Sequence, residues 1–202
     1  MKDVKLGSFV FFDNAEVTIV HELAKIAKAE KKNPKHAYVH SSNRPDLFSW
    51  SHMCNKFREM SRFGFIQELP NDNKIVKQMR KDGIRRTVFQ INKDLIFELS
   101  QAFNGTSFIG NDTDERAVIE IARYMLDFRV HLLRVIDAKA MVRNTGLTLR
   151  YINQLGLHRT VTVTSQPGKY LELTNQGILV AGAWKNVNDI LRRNDKFADR
   201  SI

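Results

Sequence analysis

The chain has 202 residues, 43% apolar and 27% charged, the balance of an ordinary globular protein of one or two domains. Its single cysteine, Cys54, excludes an internal disulfide and a Cys-x-x-Cys metal site. No run approaches the ~20 apolar residues of a membrane span and the start lacks a signal-peptide core, so the expected location is the reducing cytoplasm. The net charge of +10 favours a polyanionic partner, nucleic acid first, although solubility alone also accounts for a basic balance.

In chain order, Asn14 is placed to cap a helix over 15–32, where Val17, Val20, Leu23, Ile26 and Ala27 recur at helical spacing and Lys31-Lys-Asn-Pro34 stops it. His36 to His40 is a short β-prone run, and Pro45 to Trp50 reads as a brief helix. Ser51 then caps a helix to about Arg62, with Met53, Phe57 and Met60 inward. Phe63 to Pro70 reads as a strand leaving that helix and Arg86 to Ile91 as the returning strand. Asn92 caps a closing helix through about Phe103. The excursion between the strands carries Lys74, Lys77, Arg80, Lys81, Arg85 and Arg86 against Asp82 alone, an excess of five positive charges. As an extended loop it would lie along a phosphate backbone or dip into a minor groove, and Ile75 to Arg80 could instead be a short solvated helix. The preceding helix adds Asn55, Lys56, Arg58 and Arg62. The local aromatics Phe48, Trp50, Phe57, Phe63, Phe65 and Phe89 read as core before they read as a base-stacking surface.

Residues 104–111 hold two glycines and no charge, so the linker is placed there, between domains at 1–103 and 112–202. Asp112 or Thr113 caps a helix through about Phe128. Ile136 to Thr145 then forms a helix, Gly146 a turn, and Leu147 to Leu155 a second helix. Leu157 to Thr164 alternates, with Leu157, Arg159, Val161 and Val163 on one face and His158, Thr160, Thr162 and Thr164 on the other. Gln166-Pro-Gly-Lys169 turns the chain and Tyr170 to Leu173 returns it. A last helix begins at Asn175, with Gly177 and Gly182 inside it and a polar tail from Arg192.

Each half thus predicts helix, short strand, helix, helix, strand, wing, strand, helix. This order resembles the winged-helix superfamily twice over, as in tandem winged-helix DNA-binding proteins, across roughly 14–103 and 112–192. The expected fold class is mainly α with small β-hairpins (α+β), in two tandem winged-helix domains. The resemblance implies a second helix that enters a DNA major groove, with a basic strand pair beside it. On that helix Leu147, Ile152 and Leu155 point to the core. The polar positions left over are Thr148, Arg150, Tyr151, Asn153 and Gln154. Arg, Asn and Gln make bidentate contacts with base edges, and Thr148 bonds phosphate or caps the helix. Lys139, Arg143, Arg159 and Lys169 are the expected phosphate contacts. From Arg134 to Lys169 six cations face Asp137 alone, again an excess of five.

Catalysis is not expected. His21, His36, His40, His52, His131 and His158 are mostly scattered, and no Gly-rich phosphate loop is present. His36 and His40, on an extended segment, stand too far apart to share an ion easily. No metal, cofactor or small-molecule substrate is assigned. The expected function is sequence-specific double-stranded DNA binding by a cytoplasmic, nucleoid-associated homodimer that regulates transcription. The resemblance equally covers the replication initiators of plasmids and viruses. A winged helix that only binds proteins is the alternative of a different class.

Overall fold

The computed structural model describes residues 10–84, 87–104, 113–143 and 146–195. Within them the chain is mixed α+β, with two small antiparallel three-stranded sheets set among helices. Arg85, Arg86 and, apart from Asn104, the expected linker lie outside the described residues. Contacts divide the chain into two compact units. The N-terminal unit holds the described residues of 15–102 and 189–202, and the C-terminal unit those of 1–14 and 103–188. Each unit therefore recruits one end of the chain from the far half of the sequence.

In the N-terminal unit, α1 (Asn14–Ala29) buries Val17, Val20, Leu23 and Ala27, with Ile19 and Ala24 widening the stripe. β1 (His36–Val39) joins a sheet of order β1-β3-β2, formed with β2 (Ile66–Glu68) and the central β3 (Phe89–Asn92). The register sets Ile91 between Ala37 and Ile66, so one row of apolar residues crosses all three strands. The helix expected over 45–50 does not form, and the chain reaches α2 (Trp50–Met60) through turns and bends. Ser49, not Ser51, is the N-cap, its hydroxyl accepting from the His52 N–H at 3.4 Å. Ser51 lies already inside the first turn. Trp50, Met53, Cys54, Phe57 and Met60 are buried along one face of α2, and Trp50, Phe57 and Phe89 form an edge-on cluster with centroids 5.0–6.2 Å apart.

The wing expected between β2 and β3 is a helix. α3 (Lys74–Lys81) starts at Asn73, whose side chain accepts from the Ile75 N–H at 2.9 Å. Val76 is buried and Ile75 and Met79 are half-buried, which docks two turns of helix on the unit. Burial of that short stripe outweighs repulsion among four neighbouring cations, because exposed like charges at helical spacing cost only a few tenths of a kcal/mol per pair. After β3, α4 (Lys93–Phe103) begins as expected at Asn92, whose side chain accepts from the Leu95 N–H at 3.3 Å.

The C-terminal unit runs α5 (Thr113–Asp127), β4 (Leu133–Arg134), α6 (Val135–Met141), α7 (Leu149–Gln154), β5 (His158–Thr162), β6 (Lys169–Leu173) and α8 (Asn175–Asn194) as far as Asn188, the rest of α8 belonging to the N-terminal unit. Its sheet order, β4-β6-β5, repeats that of the first sheet: the last strand lies in the middle and leads straight into a helix. The hairpin is wider than expected. Thr162 pairs with Lys169, so Lys169 opens β6 and the turn spans the residues between, with Gly168 at φ 113°. Trp184 of α8 is 1% exposed and packs against Phe11 and Phe103, with centroids at 5.0 and 5.9 Å. Gly177 is required where α8 passes β5, since a Cβ there would stand 2.1 Å from the Leu157 carbonyl oxygen.

Candidate nucleic-acid interface

α7 is positioned by Leu147 and Ile152, both fully buried, and by Thr148, whose hydroxyl caps the helix by accepting from the Tyr151 N–H at 3.1 Å. The 100° step per residue puts Arg150 and Gln154 opposite Ile152. Both are exposed, and neither has a hydrogen-bond or ion-pair partner among the described residues. Tyr151 is half-buried beside them. Asn153 is turned aside: its amide exchanges hydrogen bonds with the Thr160 hydroxyl at 2.9–3.0 Å, fastening α7 to β5. The left-handed residue found where α6 ends is Arg143, at φ 52°. Arg143 borders a 640 Å³ cavity with Asp114 and Glu120, so its surroundings are partly acidic, and burial raises the Glu120 carboxyl above its ordinary range. Lys139 is half-buried on α6, and Lys169 is exposed at the start of β6.

The hairpin's other cation is compensated. Arg159 lies directly across from Glu172, and its Nε donates to the Glu172 carboxylate at 2.6 Å. The hydrogen bond and charge of Arg159 hold that carboxyl below its usual range. The expected alternation fails one residue earlier. His158, assigned to the polar face, is 2% exposed, and neither ring nitrogen has a hydrogen-bond partner. Desolvation lowers its pKa to about 4, so the ring is neutral at physiological pH.

Compensation is heavier on α2. Lys56 pairs with Glu16 at 3.3 Å and Glu59 at 3.9 Å. Arg58 grips Glu68 through Nε and Nη2 at 2.7 and 3.3 Å, and its Nη1 donates to Asn55 at 3.3 Å. Arg62 meets Asp195 at 2.8 Å and lies over the Phe63 ring. Asn55, Lys56 and Arg58 on α2, and Arg62 in the turn just after it, are thus engaged within the unit. α3 differs. Its buried stripe centres on Ile75, Val76 and Met79, and the opposite 60° of arc carries Lys74, Lys77 and Lys81, all exposed and without an acidic partner among the described residues. Arg80 sits at the flank and donates to the Asn71 side chain.

The structure thus gathers two groups that the sequence reading named: Arg150 and Gln154 on α7, and the lysine row on α3. It does not free Asn153, Arg159, Lys56, Arg58 or Arg62. The aromatic residues of the N-terminal unit go into its core, with only Phe48 among those named being exposed. Sequence reasoning missed the compensating acids Glu16, Glu68, Glu172 and Asp195. Glu172 faces Arg159 only in the observed register, which counting outward from Gln166-Pro-Gly-Lys169 does not give. Among the described residues no helix is long and apolar enough to cross a membrane, and no three His, Cys, Asp or Glu side chains are grouped as a metal site would need. Compared with known protein families, curated proteins and solved structures, the chain shows no significant match.

Proposed function

We propose that this protein binds double-stranded DNA with base preference, as a transcription regulator built from two winged-helix-like units. The observation that carries the reading is the outward face of α7, where Arg150 and Gln154 stand unpaired opposite the buried Ile152. Guanidinium and amide groups are the side chains that read guanine and adenine edges bidentately in a major groove. The repeated order, with the third strand central in each sheet, supports the winged-helix assignment. In the N-terminal unit α3 takes the place of a wing and offers Lys74, Lys77 and Lys81 to phosphates. No step of this reading needs a metal, a cofactor or catalysis. It places the protein on the nucleoid, and a homodimer follows if its site is palindromic.

Binding to a duplex, measured by fluorescence anisotropy over a salt series, tests the proposal. With Lys74, Lys77, Lys81 and Lys169 each neutralising one phosphate, log K falls with log salt at a slope of about −3.6. Replacing the three α3 lysines with alanine flattens that slope by about 2.7. A salt-independent or undetectable interaction sinks the reading. Replication initiation would use the same surface, and selection of bound fragments from random duplex DNA distinguishes an array of repeated sites from a single operator.

One observation favours a protein partner as the second reading. In the C-terminal unit Phe128, Leu132, Ile136, Ile178 and Leu179 are 42–72% exposed. Large apolar side chains in that number are a feature of interaction surfaces.

A further inference from the structure

Three cavities in the two units differ in the sign of their lining. One is lined by Asp94 and Glu98 with Arg193, and another by Asp114 and Glu120 with Arg116 and Arg143, so carboxylates and guanidinium groups are mixed in both. The third, 420 Å³ in the N-terminal unit between the start of α2 and α3, has no carboxylate in its lining and two guanidinium groups, Arg58 and Arg80. Its apolar lining is the buried Trp50 and Cys54. The remaining lining groups, Ser51, Asn71 and Thr87, are all able to donate hydrogen bonds. A volume of this size suits a small molecule better than a single water or ion.

The two arginines are oriented in advance and not exhausted. Arg58 uses three of the five N–H groups of a guanidinium, two on Glu68 and one on Asn55, which leaves two. Arg80 is held by a neutral amide, Asn71, and its positive charge meets no acid among the described residues. Its bond to Asn71 fixes the side chain away from the lysine row of α3 and at the edge of the cavity. An open cleft lined by donors, with a guanidinium that meets no acid among the described residues, is complementary to a multivalent oxyanion.

We propose that this cavity binds a phosphoryl group, carried by a phosphomonoester of nucleotide size, with Arg80 as the principal anion contact and Arg58, Ser51 and Thr87 completing its ring of donors. The site is separate from α7 and does not depend on the DNA reading. A strand phosphate is a diester with a single charge and two free oxygens, a poorer match than the phosphomonoester of a free mononucleotide, and the test separates the two sources.

Isothermal titration of the full chain with inorganic phosphate, AMP and adenosine measures the site directly. Saturable binding of AMP, weaker binding of phosphate and none of adenosine is the expected pattern. Arg80→Met weakens AMP at least tenfold with an unchanged melting temperature, Arg80→Lys restores part of the loss, and Lys77→Met leaves AMP affinity alone. If Arg80→Met lowers the melting temperature, Thr87→Val reports on the same donor ring by a smaller loss of affinity. Competition assigns the source: a duplex without terminal phosphates displaces AMP if the strand backbone enters the cavity, and fails to displace it if the ligand is a free phosphomonoester. No saturable binding of AMP or phosphate, adenosine binding as tightly as AMP, or full affinity in Arg80→Met each overturns the proposal. Duplex affinity that survives any of these results leaves the function of α7 untouched.

Discussion

Individual cations show what a linear charge count leaves out. Arg62 and Asp195 are 133 positions apart and Lys56 and Glu16 are 40 apart, so their pairing follows only from the folded chain. Arg150 keeps its charge free among the described residues, and the positions at helical spacing from it, Gly146, Leu147, Asn153 and Gln154, carry no acid. Arg150→Ala is therefore expected to cost about 1–3 kcal/mol in binding to a preferred duplex and to relax base preference, whereas Lys169→Ala weakens all duplexes about equally. Competition binding on a panel of single-base variants checks both. His158 makes a separate statement about stability. Its folded pKa of about 4 lies below the ordinary 6.5, so the unfolded chain takes up a proton that the folded chain refuses. Stability is then full above pH 6.5, falls by up to about 3 kcal/mol as pH drops toward 4, and levels off below that. Urea unfolding of wild type and His158→Leu at pH 7.5 and 4.5 reads the difference, and the variant is expected to lose most of the acid sensitivity. A variant that is equally acid-labile places the sensitivity elsewhere.

Elements differed in how far they could be read from their residues. The hairpin of the C-terminal unit was legible because alternation, Pro167 and Gly168 act locally, although its register was not, since the turn is wider than its Pro-Gly pair suggests. α3 was legible only as the alternative to a wing, a short solvated helix over Ile75 to Arg80. Four cations in eight residues mask a stripe of only Ile75, Val76 and Met79, and docking of that stripe on the rest of the unit, invisible in a linear reading, makes the helix. The segment 45–50 departs in the opposite direction: it reads as a brief helix but runs in turns and bends, and the first true turn begins at Trp50, whose indole is buried. α8 carries a clean contrast between its two glycines. Gly182→Ala adds a methyl to open space and is expected to stabilise by about 0.5–1 kcal/mol. Gly177→Ala drives a Cβ into the Leu157 carbonyl and is expected to destabilise by about 2 kcal/mol or more. Thermal melts of the two single variants decide it, and equal melting temperatures would contradict the close approach.

At the scale of the whole chain, the two units are compact but not consecutive. Val10 donates to the Asn188 side chain at 2.8 Å and Phe12 is 2% exposed in the C-terminal unit. Ile190 and Leu191 are buried, and Arg193 with Glu98 and Asp195 with Arg62 form ion pairs, in the N-terminal unit. A chain ending at 188 is therefore expected to lower the melting temperature of the N-terminal unit, and a chain starting at 15 that of the C-terminal unit. Tryptophan emission can follow each, since Trp50 belongs to one unit and Trp184 to the other. The sequence showed two similar halves but not this exchange of ends, because short apolar segments such as 10–12 carry no sign of which core will receive them.

The crossed ends have a consequence for proteolysis. A protease that cuts once anywhere between 104 and 113 leaves each fragment holding a piece of the other's interior, as a clasp does after its strap is severed. The nicked protein should elute as one species on gel filtration until denaturant is added.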